Sequence, residues 1–109
     1  VTTVSTAGPK IVPGTAVYAG PKNAVRTIME APRQESTAGV IRTTSISPGF
    51  VRTELDASID DPAARAQIRS SMDEFGLPPD AVARAVAFAI SQPHDVEIGD
   101  ITIRPTVQG

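Results

Sequence analysis

The sequence lacks cysteine and tryptophan and has a single histidine, and these absences exclude several kinds of site. Without cysteine there is no disulfide, no thiolate metal ligand and no cysteine nucleophile. The one histidine, His94, stands between Pro93 and Asp95 and is interpreted as a surface loop residue, so no metal site is predicted. Aromatic residues make up 4% of the 109 residues, and Tyr18 is the only tyrosine.

Clustered positive charge and long apolar runs are also missing. Ten Lys and Arg against twelve Asp and Glu give a formal net charge of -2, which argues against nucleic-acid binding. The longest apolar run, Ala85–Ile90, is far shorter than the roughly 18 residues that span a bilayer. The first residues show neither the basic nor the apolar region of a signal peptide. The sequence therefore predicts a cytoplasmic protein that binds neither nucleic acid nor membranes.

Strand-like and helix-like segments alternate along the chain. Residues 1–5 and 40–46 are rich in Val, Ile and Thr and predict strands, and the alternation over 100–104 predicts a third. A loop with glycine and proline leads into a helix predicted over 16–31. Pro32 is expected to end this helix, because a proline disfavours the helical conformation of the residue before it. The apolar residues of the helix share one face: Val17, Pro21, Ala24, Val25 and Ile28.

Two further helices follow a polar loop over residues 50–60. Asp61 as N-cap, Pro62 at the first position and Gly76 at the C′ position delimit the first of them. The second is predicted over 79–91. Each helix has an apolar stripe, formed by Ala64, Ile68, Met72 and Phe75 in the first and by Val82, Ala85, Val86, Ala89 and Ile90 in the second.

Strands separated by helices predict the α/β class, with parallel pairing through right-handed crossovers. About three strands make a thin sheet. A parallel sheet needs both of its faces covered, and this chain by itself can cover them only poorly.

Tyr18 and Lys22 form the first candidate for chemistry. Their four-residue spacing places both side chains on one face of the predicted helix. An ammonium about 5 Å from the phenol would stabilise its phenolate by roughly 3 kcal/mol at an effective dielectric constant near 20. Such a phenol can exchange a proton near neutral pH, as general acid–base catalysis requires. The alternative interpretation is an exposed pair on a helix surface.

Two other features fall at the same edge of the predicted sheet. Ser5 stands at the carboxyl end of the first strand, and Ser47-Pro48-Gly49 stands at the end of the second. In open parallel sheets ligands bind outside the carboxyl ends of the strands. A hydroxyl at that edge can hydrogen-bond a substrate oxygen and stabilise charge that develops there.

Taken together these residues resemble the C-terminal half of the classical short-chain dehydrogenase/reductase family. The resemblance covers the whole chain and rests on three features in order: Ser5, then Tyr18-Ala19-Gly20-Pro21-Lys22, then Ile46-Ser47-Pro48-Gly49-Phe50-Val51-Arg52-Thr53. It implies a partial Rossmann-like, doubly wound parallel sheet. It also implies an NAD(P)-dependent oxidoreductase, in which a hydride passes between the nicotinamide cofactor and a small carbonyl or alcohol substrate.

The resemblance implies a role for each matching residue. Ser5 would polarise the substrate oxygen, and Tyr18 would be the catalytic acid or base. Lys22 would make Tyr18 more acidic and bind the nicotinamide ribose. The cofactor-binding positions would be Tyr18, Lys22, Pro48, Gly49, Val51 and Thr53, with the Val51 backbone and the Thr53 hydroxyl facing the carboxamide. The ending, residues 98–106, favours NADP slightly over NAD, and a homo-oligomer is expected.

The chain departs from the family pattern in three places. The glycine-rich phosphate loop is absent, so residues 1–109 are expected to be the catalytic and substrate half, with the dinucleotide-binding half outside this chain. Pro21 stands where Ser or Thr is usual; it is tolerated if the helix begins near Tyr18 and kinks the helix if it begins near Thr15. Pro32 replaces an apolar helix former. The competing hypothesis is a catalytically silent fragment that acts as an oligomerisation or interaction module.

Overall fold

A computed structural model describes residues 1–7 and 13–109, and part of the loop predicted over 6–15 lies outside these residues. Three parallel strands form one sheet in the order β1-β2-β3. The α/β class and the partial Rossmann-like sheet are confirmed. The elements in chain order are β1 (Thr2–Thr3), α1 (Ala16–Glu35), β2 (Ser45–Pro48), a 3₁₀ turn (Leu55–Ser58), α2 (Pro62–Phe75), α3 (Pro79–Ile90) and β3 (Asp100–Ile103).

The two faces of the sheet differ in chemistry because side chains alternate along a strand. Ser45 pairs with Asp100 and Ser47 with Thr102, so hydroxyls and a carboxylate share one face. The other face presents apolar side chains from the two longer strands: Ile46, Pro48, Ile101 and Ile103. Helix α3 packs against β2 and β3 on that apolar face. Ile46 there is fully buried, and Ala89 of α3 is buried as well.

Helix α1 lies on the polar face and is joined to it by polar contacts. Arg26 forms an ion pair with Asp100, with 2.7 Å between nitrogen and oxygen. A cavity of about 510 Å³ lies between α1 and the strands and reaches Thr43 and Ser45. None of the twenty residues of α1 is buried. The predicted apolar face of this helix is therefore largely uncovered, and Val17 is 91% exposed.

The molecule is extended as a consequence. Its radius of gyration is 15.4 Å, against about 13 Å for a compact domain of this length. No helix in the described part of the chain is long and apolar enough to cross a membrane.

The segment before β2 corrects one sequence prediction. Residues 40–44 are not strand, and β2 instead runs through Ser47 to Pro48. Strand structure needs a paired neighbour, and here other groups hold this segment. The N–H of Thr43 donates to the Glu97 carboxylate at 3.0 Å. The Arg42 guanidinium donates to carbonyls after the last turn of α3.

The first and third strands are shorter than predicted as well. Residues 1–5 contain strand only at Thr2–Thr3, although Val4 and Thr6 continue to donate to β2. The third strand ends at Ile103, one residue before the predicted end.

The prediction that Pro32 ends α1 is wrong, since the helix continues to Glu35. The fixed φ of proline is itself helical. Side-chain contacts also stabilise the last turn on both sides of Pro32, because Arg33 and Gln34 both donate to the Glu30 carboxylate. Pro21 likewise lies inside α1, which begins at Ala16. For a helix that begins this early, the sequence predicts a kink at Pro21.

Helices α2 and α3 follow the prediction closely. The Asp61 side chain accepts from the N–H of Ala63 at 3.1 Å, and Pro62 is the first helical residue. Gly76 ends α2 with extended backbone, at φ -60°, and not in the left-handed conformation typical of a C′ glycine. A side chain is excluded there for another reason: a Cβ would come within 2.5 Å of the Met72 carbonyl oxygen.

The loop predicted over 50–60 contains a 3₁₀ turn anchored to α2. Asp56 of this turn is buried, and its carboxylate lies 3.5 Å from the Arg69 guanidinium and 3.9 Å from that of Arg65. Phe50 and Phe75 meet edge to face with 5.3 Å between their ring centroids. These contacts pack α2 against the chain that leaves the end of β2.

Candidate active site

The carboxyl ends of β1 and β2 are held side by side. The N–H groups of Val4 and Thr6 donate to the carbonyls of Ile46 and Pro48, at 2.7 and 3.0 Å. Ser5, between these two donors, therefore lies beside the end of β2. Helix α1 leaves this edge and returns the chain toward the amino end of β2, so its first turns lie toward the same edge.

Tyr18 and Lys22 lie on one face of the first turns of α1. The Lys22 Nζ is 5.9 Å from the centroid of the Tyr18 ring, within the distance at which a cation is attracted to a ring face. Pro21 does not separate the two side chains. Tyr18 is about half exposed, so its hydroxyl is accessible to a ligand.

Ser5 is buried, and within the described residues its hydroxyl is an acceptor only. Its Oγ accepts from the N–H of Ala7 at 3.1 Å. In the described part of the chain, its own O–H has no acceptor. A serine hydroxyl both accepts and donates, so this arrangement leaves the donor available for a substrate oxygen. No hydrogen bond joins Ser5 to Tyr18 among residues 1–7 and 13–109.

Beyond β2, the chain forms a short parallel bridge with the residue after Gly76. Leu77 donates to the Phe50 carbonyl at 2.8 Å and accepts from the N–H of Arg52 at 2.9 Å. Peptide groups alternate in direction along extended chain, so the N–H and C=O of Val51 point away from Leu77. Neither group has a hydrogen-bond partner among the described residues.

The other side of this segment contacts the C-terminal residues. Gly49 donates to the Ile103 carbonyl at 2.8 Å, and the N–H of Phe50 donates to the side-chain oxygen of Gln108 at 2.9 Å. Thr53 lies on the surface, where its Oγ1 accepts from the N–H of Leu55 at 3.3 Å. Pro48 is the last residue of β2 and pairs with Ile103.

The structure thus places the predicted site residues in three groups. Tyr18 and Lys22 lie together, Ser5 lies beside Pro48, and Val51, whose backbone groups find no partner in the described part of the chain, follows three residues later. Sequence reasoning missed Gln108, which lies in no motif and is 58 residues from its partner Phe50. It also missed buried Asp56, for which the i,i+4 spacing of Arg65 and Arg69 was an available signal.

Comparison with protein families shows which family this chain belongs to. The family model for short chain dehydrogenases matches residues 1–64, which is more than half of the chain and includes all the predicted site residues. This chain belongs to the short-chain dehydrogenase family.

Relatives of this short-chain dehydrogenase chain are named as oxidoreductases. An uncharacterized oxidoreductase of Listeria monocytogenes is 42% identical over 99% of this chain and 44% of its own length. An uncharacterized oxidoreductase of Staphylococcus saprophyticus is also 42% identical, over 95% of this chain and 43% of its own length. The chain therefore spans less than half the length of these curated relatives.

One solved structure matches nearly the whole of this short-chain dehydrogenase chain. The closed form of a serine dehydrogenase complexed with NADP+ has a TM-score of 0.86 and 27% identity, and covers 98% of this chain and 44% of that one. The likeness confirms the fold over almost all of the present sequence.

Proposed function

We propose that this chain carries the acid–base half of an oxidoreductase that uses NADP or NAD and acts on a small carbonyl or alcohol. The observation that carries the proposal is the approach of the Lys22 Nζ to 5.9 Å from the centroid of the Tyr18 ring in the first turns of α1. The family assignment supports it, since relatives over the same residues are named oxidoreductases.

In the proposed reaction, the residues of this chain move and stabilise a proton. The Tyr18 hydroxyl gives its proton to the substrate oxygen during reduction and takes it back during oxidation. The Lys22 ammonium stabilises the phenolate that forms. The free O–H of Ser5 donates to the same substrate oxygen and holds it in place. When bound, the nicotinamide cofactor supplies or accepts the hydride.

The Val51 backbone fits a nicotinamide carboxamide. A primary carboxamide has a carbonyl oxygen that accepts and an NH₂ group that donates, while Val51 offers one N–H and one C=O without partners in the described ranges. The Thr53 hydroxyl lies two residues further along. NADP is favoured over NAD because the similar serine dehydrogenase was solved with NADP+.

The remaining elements of the enzyme belong to the same proposal. Residues 1–109 supply the catalytic and substrate half, and a glycine-rich dinucleotide-binding half completes the enzyme, because the relatives are more than twice as long as this chain. The cytoplasmic location stays a prediction from the sequence.

The proposal is tested by replacing Tyr18 with Phe in the full-length product of the reading frame that contains this chain. We expect kcat to fall between about 100-fold and 10,000-fold, the range of general acid–base catalysis. The Kd for NADPH, measured by cofactor fluorescence, should stay within about twofold of its original value because the ring remains. Lys22→Met should weaken both binding and turnover. A Tyr18→Phe enzyme with near-normal rates would contradict the acid–base role.

A second candidate function is self-association, and exposed apolar side chains favour it. Ile28 of α1 is 64% exposed and Phe88 of α3 is 54% exposed. Burial of such residues against a second copy would stabilise an oligomer by about 25 cal/mol for each Å². Sedimentation of the wild type, Ile28→Glu and Phe88→Glu separates the two functions, since a silent interaction module would self-associate yet leave NADPH fluorescence unchanged.

A further inference from the structure

The C-terminal turn, residues 104–108, closes over the start of the Pro48–Thr53 segment. The N–H of Gln108 donates to the Pro105 carbonyl at 3.0 Å, and Pro105 is buried. This turn directs the Gln108 side chain back toward β2, where its Oε1 accepts from the N–H of Phe50 at 2.9 Å. The tail is therefore joined to the segment by a specific polar contact.

Gly49 makes this approach possible. A Cβ at this position would lie 2.2 Å from the Gln108 Oε1 and 2.8 Å from the Cβ of Arg104. Both distances are shorter than real Cβ contacts, so over a larger residue the Gln108 side chain and Arg104 would have to shift. Position 49 therefore serves close approach of the tail, and its backbone donates to Ile103 at 2.8 Å as the tail begins.

Phe50 is consequently held through both of its backbone polar groups. Its N–H is bound by Gln108 on one side, and its C=O accepts from Leu77 on the other. The next residue is Val51, whose N–H and C=O have no partner within residues 1–7 and 13–109. Gln108 thus holds the Gly49–Phe50 peptide group, and Leu77 holds the next one, which contains the Val51 N–H. Together the two contacts restrict the φ and ψ of Phe50 and hence the direction in which the Val51 N–H points.

From this geometry we infer that Gln108 is a positioning residue, which acts through Phe50 to aim the Val51 backbone at the nicotinamide carboxamide. The inference rests on the proposed function and assigns a role to the C-terminal turn. It requires an oxygen acceptor at position 108, because the group it holds is an N–H. Gln108→Glu keeps such an acceptor, whereas Gln108→Leu keeps similar size and removes it.

The test compares NADPH with ADP-ribose, which shares the adenosine diphosphate ribose portion but lacks the nicotinamide and the 2′-phosphate; each variant is compared with the wild type for each ligand separately. NADPH and ADP-ribose are titrated against the full-length product as the wild type, Gln108→Leu, Gln108→Glu and Gln67→Leu. Gln67→Leu is a matched control, since Gln67 is exposed on α2 and its side chain makes no hydrogen bond to the described residues.

We expect Gln108→Leu to raise the Kd for NADPH about tenfold, equivalent to about 1.4 kcal/mol, and to leave the Kd for ADP-ribose within twofold. Gln108→Glu should restore most of the NADPH affinity, and Gln67→Leu should bind both ligands as the wild type does. Hydrogen exchange at the Phe50 amide should accelerate in Gln108→Leu alone.

Two results would overturn the inference while the proposed function stands: Gln108→Leu binding NADPH as tightly as the wild type, or weakening both ligands equally as a general loss of structure would. A wild-type protein that binds neither NADPH nor NADH overturns the proposed function itself, and with it the role assigned to Gln108.

Discussion

The two faces of the central sheet show how differently one short chain can hold its helices. On the α3 side, isoleucines from β2 and β3 meet an apolar helix stripe, and Ile46 and Ala89 are buried. On the α1 side, the same strands present Ser45, Ser47 and Asp100. There α1 is joined by the Arg26 ion pair across a cavity.

The sheet and α3 therefore form the packed part of the molecule, and α1 is attached to it more weakly. Dispersion and hydrophobic burial fix α3, because apolar side chains face each other across that layer. The α1 side lacks apolar partners on β2 and β3, so burial there contributes little. Even the buried Ser47 hydroxyl, on the α1 side, has no hydrogen-bond partner among the described residues. The chemistry of the strands, and not the helical pattern of α1, decides how firmly that helix is attached.

The largest test of this comparison truncates one isoleucine on each side. Ile46→Ala should lower the free energy of unfolding by about 2–5 kcal/mol, because it leaves a cavity in the core. Ile28→Ala on α1 should change it by less than about 0.5 kcal/mol, as for an exposed position. Urea unfolding of the purified chain measures both. If Ile46→Ala does not fold, Ile46→Val should still cost about 0.5–1.5 kcal/mol. Equal costs at the two positions would show that α1 is packed as firmly as α3.

The second test removes the polar anchor of the α3 side. The Arg42 guanidinium donates to the carbonyls of Gln92, Pro93 and Val96 at 3.1, 3.0 and 2.8 Å. A cation at a helix C-terminus also interacts favourably with the helix dipole.

Arg42→Ala should therefore cost about 1.5–3 kcal/mol of unfolding free energy, the range for hydrogen bonds to a charged group. Arg42→Lys should recover only part, since an ammonium cannot match the planar fork of donors. Arg84→Ala is the control, because Arg84 pairs on the helix surface with Asp80, which is exposed, and such pairs contribute less than about 1 kcal/mol. If Arg42→Ala lowers the free energy of unfolding no more than Arg84→Ala does, Arg42 does not anchor the end of α3.

Helix periodicity and caps were predictable because residues close together in the sequence decide them. Asp61, Pro62 and the stripe that includes Met72 define α2, and the structure keeps those bounds. Strand bounds depend on a partner elsewhere in the chain. Residues 40–44 have the composition of a strand, yet β2 exists only where β1 and β3 supply partners. Composition alone cannot show where those partners stop.

The candidate site divides in the same way. The spacing of Tyr18 and Lys22 predicts their contact, because both lie on one helix. The contact of Gln108 with Phe50 joins residues 58 positions apart, and only the folded chain brings them together. The continuation of α1 past Pro32 also involves the side chains of Arg33 and Gln34. The rule that proline disfavours helix at the preceding residue does not include such contacts.

The smallest effect is expected at the end of α1, where local charges compensate for missing burial. Hydrogen bonds from Arg33 and then Gln34 lower the pKa of Glu30 from 4.5 to about 2. Because this carboxyl is more acidic in the folded chain, its stabilising effect is full above pH 4.5 and is lost as the pH falls toward about 2. An NMR titration should place the Glu30 midpoint near 2, and helicity followed by circular dichroism should fall slightly in that window. Glu30→Gln should abolish the change, while Glu35→Gln, which removes a carboxylate without an ion pair among the described residues, should keep it. A Glu30 midpoint near 4.5 would mean that contacts other than this ion pair stabilise the last turn of α1. The contrast between α3, held by packing, and α1, held by charges, would then not extend to the end of α1.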